Sequence, residues 1–563
     1  MKMFSFNNIC KILPLSAGLL LVGCSDFLDR ESDSYINKQT TFSSYERTAQ
    51  YLTGVYSLLP EGLNRFGSNA MLGDATDDAE FVIESSNIQK FNLGAWNAID
   101  NPDDQWNRFY AGIRKACEFI ESADQVNLDS YRLDPQSQIE YNNRLKDIRI
   151  WKAEARFLRA YYHFELLKRY GPIPVVTSTL DLNGDYKNTS RPTMKDVVDF
   201  ITKECDEAAN DLELTPWRNV NDALGHATKG AALALKSRTL LYAASPLYVA
   251  FGDINEANKP SDAALWKAAA DAAKAVIDLN QYQLADNYGD LFKNDFKNKE
   301  YIFVRRYTAN TNLERSNFPV SFGGEGGTCP SQNLVDDYEM LDGTPFDWNR
   351  PARAAQPFVN RDKRLEATIL MNMASFKNKK VETFPGGADA SPVPNATKTG
   401  YYLRKFLNED VNIQTGGSSS GHVVPLFRLA EIYLNYAEAL NEYDPTNPDI
   451  AVYLNKIRNR ASLPNVPSGL SQEQMRKVIQ HERRIELAFE EHRFWDVRRW
   501  KIASSTLGAP VKGIQIARKP TGGFTYQPVE VEQRVFQPKM YWYPIPQSEL
   551  LKLTQWEQNN GWN

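Results

Sequence analysis

Three long segments carry apolar residues at helical spacing, and in the first of them, residues 148–167, they fall on two opposite faces. Ile148, Trp151, Ala155, Leu158, Tyr162 and Leu166 form one stripe, and Ala153, Phe157, Ala160, Phe164 and Leu167 form the other. A helix that is apolar on both sides must be covered on both sides, as happens when helical hairpins stack. Its alanines let neighbours come close. Tyr170-Gly171-Pro172-Ile173-Pro174 ends it, since glycine and two prolines cannot continue a helix. Residues 223–249, broken at Pro246, and residues 262–279 are rich in Ala and read as one antiparallel pair. A third array comprises residues 427–441, 450–462 and 471–489, separated by turns that bear Pro, Asn or Gly. A further helix is expected over 103–121. The spacing suggests tetratricopeptide-type hairpins without the full repeat consensus, so the expected class is mainly α.

Different material lies between the arrays. Residues 281–425 include the runs Gly323-Gly324-Glu325-Gly326-Gly327, Pro385-Gly386-Gly387 and Gly416-Gly417-Ser418, with a short strand expected over 301–306. A second loop region, 60–104, interrupts the N-terminal helices. Long loops on a rigid scaffold are where binding resides. The expected organisation is a helical part over 41–280, a loop-rich subdomain over 281–425, and C-terminal hairpins over 426–563.

The first residues read as an address rather than as fold. Lys2 and Lys11 give a weakly positive start, and residues 12–22 form an apolar run too short to span a bilayer. Gly23 directly before Cys24 suits lipoprotein processing, which would remove residues 1–23 and make Cys24 the lipidated first residue, anchored by several acyl chains. Residues 24–40 would then be a flexible tether.

Charge narrows the partners. The chain of 563 residues has 65 basic and 70 acidic side chains; loss of residues 1–23 takes two lysines and leaves 63 basic. That mild acidity argues against nucleic acid. Of five cysteines, Cys117, Cys205 and Cys329 remain, an odd number without C-x-x-C spacing, and Cys117 and Cys205 fall in helical patterns as small buried groups. The five histidines are scattered, so neither a metal nor a cofactor is expected. No G-x-S-x-G, P-loop or G-x-G-x-x-G after a strand is present. Glu482, Glu486 and Glu490 recur at i, i+4 among Arg483, Arg484, Arg493, Arg498 and Arg499, which predicts structural ion pairing rather than the two carboxyls of a glycosidase.

The helical segments also carry specific phrases. AEARFLRAYYHFELLKRYGPIPVV (153–176), RPTMKDVVDFI (191–201), ATKGAALALKSRTLLYAASPLY (227–248), LFRLAEIYLNYAEALNE (426–442), LNKIRNRA (454–461), ERRIELAFEEHRFWDVRRW (482–500) and YPIPQSEL (543–550) resemble the SusD/RagB family, in the family's order. SQNLVDDYEMLDG (331–343), RDKRL (361–365) and GYYLRKF (400–406) match as well. The resemblance implies a lipoprotein on the outer face of an outer membrane, with a tetratricopeptide-like helical array and a loop-rich ligand-binding half. It implies a non-catalytic protein that captures glycans, less often peptides, over a SusC-like TonB-dependent barrel. Ser25-Asp26 after Cys24 looks like the surface-export signal of such proteins, interrupted by Phe27 and Leu28.

Sugar rings present a C–H face to flat aromatics, so Trp96, beside the amide of Asn97, is the expected platform. In the loop Asp74-Ala75-Thr76-Asp77-Asp78, which lacks the spacing of an EF-hand, Asp77 or Asp78 would accept bonds from sugar hydroxyls at a solvent-facing rim. Trp106 and Tyr110, four apart, are expected in the core. By resemblance, the second side of the ligand surface falls over 307–327, with Tyr307, Asn310, Arg315, Phe318 and Phe322 as candidates; Trp348 is a further one.

Overall fold

The computed structural model describes residues 37–181, 183–217, 225–251, 262–293, 298–414 and 416–563. The expected signal segment and the lipidation site Cys24 lie outside the described residues. The expected tether is shorter than residue 40, because Asn37 caps a helix over Lys38–Phe42 and Phe42 is buried.

Ten helices organise the array: α1 Tyr45–Tyr56, α2 Trp106–Ser122, α3 Gln138–Tyr170, α4 Met194–Asp211, α5 Lys229–Ala244, α6 Ala263–Ile277, α7 Leu429–Tyr443, α8 Asp449–Arg460, α9 Gln472–Glu486 and α10 His492–Arg499. From α1 to α8 each packs on the next in sequence, and α9 packs on α7. Because α6 touches both α5 and α7, the loop-rich stretch between α6 and α7 is an insertion that leaves the stack unbroken. The two-faced stripe of α3 is buried on both sides from Ala153 onward. Gly112 of α2 makes its crossing with α3 close, since a Cβ there would fall 2.6 Å from the Tyr162 ring. Gly171 ends α3 at φ 74°, where a side chain would strike Phe251. Trp106 is buried against Tyr110 and Tyr170. Cys117, Cys205 and Cys329 are separate buried thiols.

The strands pair two by two and antiparallel: β1 Ala79–Phe81 with β3 Thr328–Pro330, β2 Tyr301–Asn310 with β4 Ser420–Arg428, and β5 Val511–Arg518 with β6 Phe524–Glu532. The helix expected from 427 starts two residues later. Phe427 and Arg428 complete the ladder opposite Phe303 and Tyr301, and Arg428 then caps α7.

Two apolar cores result. One is built by the helices together with Met540 to Ile545 and Trp556. The other belongs to the loop-rich part, but it also takes Ile514 and Ile516 from β5, Phe489 from beyond α9, and Met71 and Ala79 from the N-terminal loop.

An ionic cluster joins them. Arg364, on the short helix Lys363–Thr368 of the loop-rich part, donates to Glu482 at 2.6 Å and Glu486 at 3.0 Å. Arg428 donates to Glu486 at 2.6 Å, to Glu300 at 2.7 Å and to Glu490, while Arg460 reaches both Glu300 and Glu486. Burial alone would raise the Glu486 carboxyl, but Arg460, Arg428 and Arg364 hold it well below the usual carboxylate range. The glutamates spaced at i, i+4 are thus structural ion pairs, as expected, but their partner arginines come from the loop-rich part, β4 and α8 rather than from those interleaved with them.

A smaller joint ties β6 to the N-terminal loop. Arg534 donates to the carbonyls of Thr76 and Ala79 and to the Glu80 carboxylate. Burial and a hydrogen bond shared with Glu80 push Glu532 up to about 8.

Two expectations follow. Glu486→Gln leaves arginines facing a neutral group and should cost about 3–5 kcal/mol in denaturant unfolding, whereas Lys195→Ala, at the exposed pair with Asp199, should leave stability unchanged. Folded Glu532 keeps its proton up to about pH 8 while the unfolded chain releases it near 4.5, so the stability tied to that proton is complete below 4.5 and is lost as pH rises to about 8. Thermal melting of Glu532→Gln should show that fall flattened over the same window.

Candidate functional site

Sugar recognition needs aromatic rings that are held rigidly yet left partly open. The loop-rich core offers such rings at its boundary: Tyr307, Phe322, Trp348, Phe358, Phe524 and Tyr526 are each half-buried against it.

Phe322 is the most elaborately supported. It closes a short helical turn, Val320–Phe322, which Gly323 ends at φ 85°. Beneath it Phe376 meets it edge to face at 5.0 Å, and Phe318 meets Phe376 at 5.1 Å, so Phe322 is the outer ring of an aromatic column. Asp389 fixes the turn by accepting from the Ser321 N–H at 2.9 Å. Two polar groups are held around this turn through the 413–414 segment. Arg315 is exposed and donates to the Ile413 carbonyl at 3.3 Å, and the amide of Gln414 lies 3.2 Å from where a Cβ on Gly323 would sit. A ring face, a guanidinium with donors to spare and an amide that both donates and accepts suit a hydroxylated ring with an apolar face.

Nearby candidates are partly committed to the fold. Tyr307 on β2 donates its hydroxyl to the Glu61 carbonyl. Asn310 folds onto its own turn, donating to Thr308 O at 2.9 Å and accepting from Asn312 N at 2.8 Å. Trp348 is anchored by its indole N–H, which donates to Asp336 at 2.9 Å.

Other expected positions are corrected. Trp96 is no open platform: it is 3 % exposed and packs on Phe91, Tyr543 and Trp562, the last at 4.6 Å between centroids. Asn97 is exposed, yet its side-chain oxygen accepts from Ile99 N and Asp100 N and so shapes a turn. Asp77 and Asp78 do not face solvent. Asp77 binds Arg493 at 2.7 and 2.9 Å and Arg484 at 3.0 Å, and Asp78 binds Arg484 at 2.9 Å. Burial would raise Asp77, but Arg484 and Arg493 hold it well below the carboxylate range. Phe318 is fully buried as the inner ring of the column. Among the described residues no group of His, Cys, Asp or Glu has the arrangement to hold a metal ion.

The two expected ligand-side segments do meet, though as a buried joint. β1 pairs β3, Asn317 donates to Asn64 at 3.2 Å, and Thr328 donates to Asp74 at 2.9 Å. Sequence reasoning missed Phe524 and Tyr526, which lie on the core-facing side of β6 and pack on Phe384 and Phe358 at 5.0 and 5.2 Å. Their signal was the alternation Phe524-Thr525-Tyr526, which brings Tyr526 opposite Ile516 of β5.

Comparison with known proteins supplies the frame. A model of the SusD family matches residues 291–562, and one described as starch-binding, associating with the outer membrane, matches residues 26–241. SusD-like protein P2 of Formosa agariphila is 23 % identical, over 96 % of this chain and 97 % of its own. A crystal structure of a SusD-like protein from Bacteroides fragilis superposes with TM-score 0.76 at 26 % identity, covering 93 % of this chain and 98 % of the other. A SusD-like carbohydrate-binding protein of the same organism gives 0.74 at 26 % identity, over 91 % and 99 %. A laminarin-binding SusD-like protein gives 0.62 at 23 % identity, over 92 % and 100 %. The helix-rich array with its short strands is the tetratricopeptide-like fold of these proteins. Among the described residues no helix is long and apolar enough to cross a membrane. With a SusD model and a SusD-like model matching successive parts that together cover most of the chain, the protein belongs to the SusD/RagB family.

Proposed function

We propose that the protein is a non-catalytic, surface-displayed lipoprotein, anchored through Cys24, that captures an oligo- or polysaccharide and passes it to a SusC-like TonB-dependent barrel. The observation that carries the glycan reading is the Phe322 column, with Gln414 against the Gly323 turn and Arg315 on the adjoining Ile413 carbonyl. Trp348, half-buried on the same loop-rich core, is a second candidate ring, and Tyr307 and Asn310, on β2, are further candidates. The carbohydrate-binding and laminarin-binding relatives are consistent with this ligand class.

The electrostatics of the glutamates at 482, 486 and 490 support the non-catalytic reading. A glycosidase needs one carboxyl that keeps its proton near neutrality. Glu482, Glu486 and Glu490 are each ion-paired with buried arginines, and Glu486 and Glu490 are held below the ordinary carboxylate range.

Affinity electrophoresis against a polysaccharide panel tests the site. Phe322→Ala should weaken binding by several-fold up to about tenfold, the worth of one aromatic contact, and Arg315→Ala should weaken it less. Unchanged retardation of both variants would remove this corner from the site. A wild type that no glycan retards, yet which binds extended peptides, would move the protein to the peptide-capturing alternative. For the anchor, Cys24→Ala should leave the washed outer-membrane fraction, and retention there with the barrel partner deleted would refute lipid tethering.

A further inference from the structure

Most buried arginines of the described residues face a carboxylate: Arg159 faces Glu204, Arg238 Glu431, Arg483 Asp496 and Arg534 Glu80. Arg191, partly buried and three residues before α4, does not. Its Nε donates to the Pro172 carbonyl at 3.0 Å, and its Nη2 donates to the Tyr170 carbonyl at 3.0 Å and to Asn559 Oδ1 at 2.8 Å. These bonds lock the guanidinium between the rings of Phe251 and Trp556, 5.1 and 5.2 Å from their centroids. No carboxylate of the described residues lies within ion-pair distance of it, and Nη1 makes no hydrogen bond among them. Burial pulls its pKa down to about 10, so it is still a cation at neutral pH. Arg361 and Arg498 also lack a carboxylate, but both are shut in, at 5 % and 3 % exposed.

Arg191 instead opens onto a cavity of about 280 Å³, walled by Leu247, Phe251, Trp542 and Trp556 with Gln555 at its edge. That volume is at the lower end for small-ligand sites, roughly the size of one sugar ring. Glu557 also lines the cavity, yet it is not within ion-pair distance of Arg191. The cavity lies on the helical core, whereas Phe322 stands on the loop-rich one.

A desolvated cation costs free energy unless an anion answers it. Here the guanidinium is held by fixed hydrogen bonds at a hollow with aromatic walls, and its Nη1 makes none of those bonds. We propose that this cavity is a second glycan subsite that takes a sugar residue bearing a carboxylate, with the carboxylate on Arg191 Nη1 and the ring's C–H surface against the Phe251, Trp542 and Trp556 walls. This rests on the reading of the protein as a glycan binder and adds acidic residues to the class of glycan it holds.

Calorimetric titration of the full chain with a short oligogalacturonide and with its carboxyl-reduced counterpart tests it. The acidic oligosaccharide should bind about tenfold tighter than the reduced one, the worth of one charged hydrogen-bonded contact. That preference should vanish in Arg191→Gln and persist in Phe322→Ala. Because Arg191 also braces the fold, Gln555→Trp, which fills the cavity from an exposed wall position, should remove the preference as well, with melting curves run on both variants. Equal binding of the two oligosaccharides by the wild type overturns the subsite while leaving glycan capture intact. A wild type that binds neither, nor any neutral glycan, overturns the underlying reading instead. Displacement by acetate or by a tripeptide carboxylate as strong as by galacturonate would make the cavity a general anion or peptide site and overturn the sugar assignment.

Discussion

The rest of the structure depends on the charged seam around Glu486. Arginines from the loop-rich part, from β4 and from α8 converge on it, and each brings further carboxylates into the same cluster. Taking so many charges out of water is costly, and the cost is offset only when nearly every lone pair and N–H finds its partner. Such a cluster tolerates very few arrangements. It specifies how the two cores sit against each other in a way that a purely apolar contact, which slides more readily, would not.

That fixed relation matters because the loop-rich part is an insertion. Stacked helices make a continuous support in which each packs on its neighbour, and the inserted chain leaves and returns at α6 and α7 without interrupting it. β2 and β4 form the stem of the insertion, with Glu300 and Arg428 at its base. Phe322, Trp348 and Phe358 are therefore carried on turns and irregular backbone but referenced to a rigid stack, which suits recognition that needs placement without chemistry.

What could be read from the sequence divides along the same line. The stripes of α3 and the alanines of α5 and α6 were legible because helix burial depends on residues a few positions apart. That Glu486 is ion-paired was legible from the charge-rich run around it, although its arginines, Arg364, Arg428 and Arg460, come from elsewhere in the chain. The environment of Trp96 was not, because residues 543 and 562 cover it. Nor was that of Asp77 and Asp78, whose counter-charges Arg484 and Arg493 come from the far end of the chain. Within the 307–327 stretch, residue type alone did not separate Phe318 from Phe322; the glycine turn at 323 and the ring of Phe376 decide which faces inward. Phe427 and Arg428 read as helix because their strand partners lie across the insertion.

The cover over Trp96 bears on the order in which the molecule assembles. Trp562 lies on Trp96, Tyr543 donates to Asp103, and Asn559 donates to the carbonyls of Tyr170 and Tyr543. An early loop is thus sealed by side chains that emerge from synthesis long after it. Until they arrive, the aromatic surface around Trp96 stays open to water and to other chains, so the partly emerged protein is the species most in need of a chaperone.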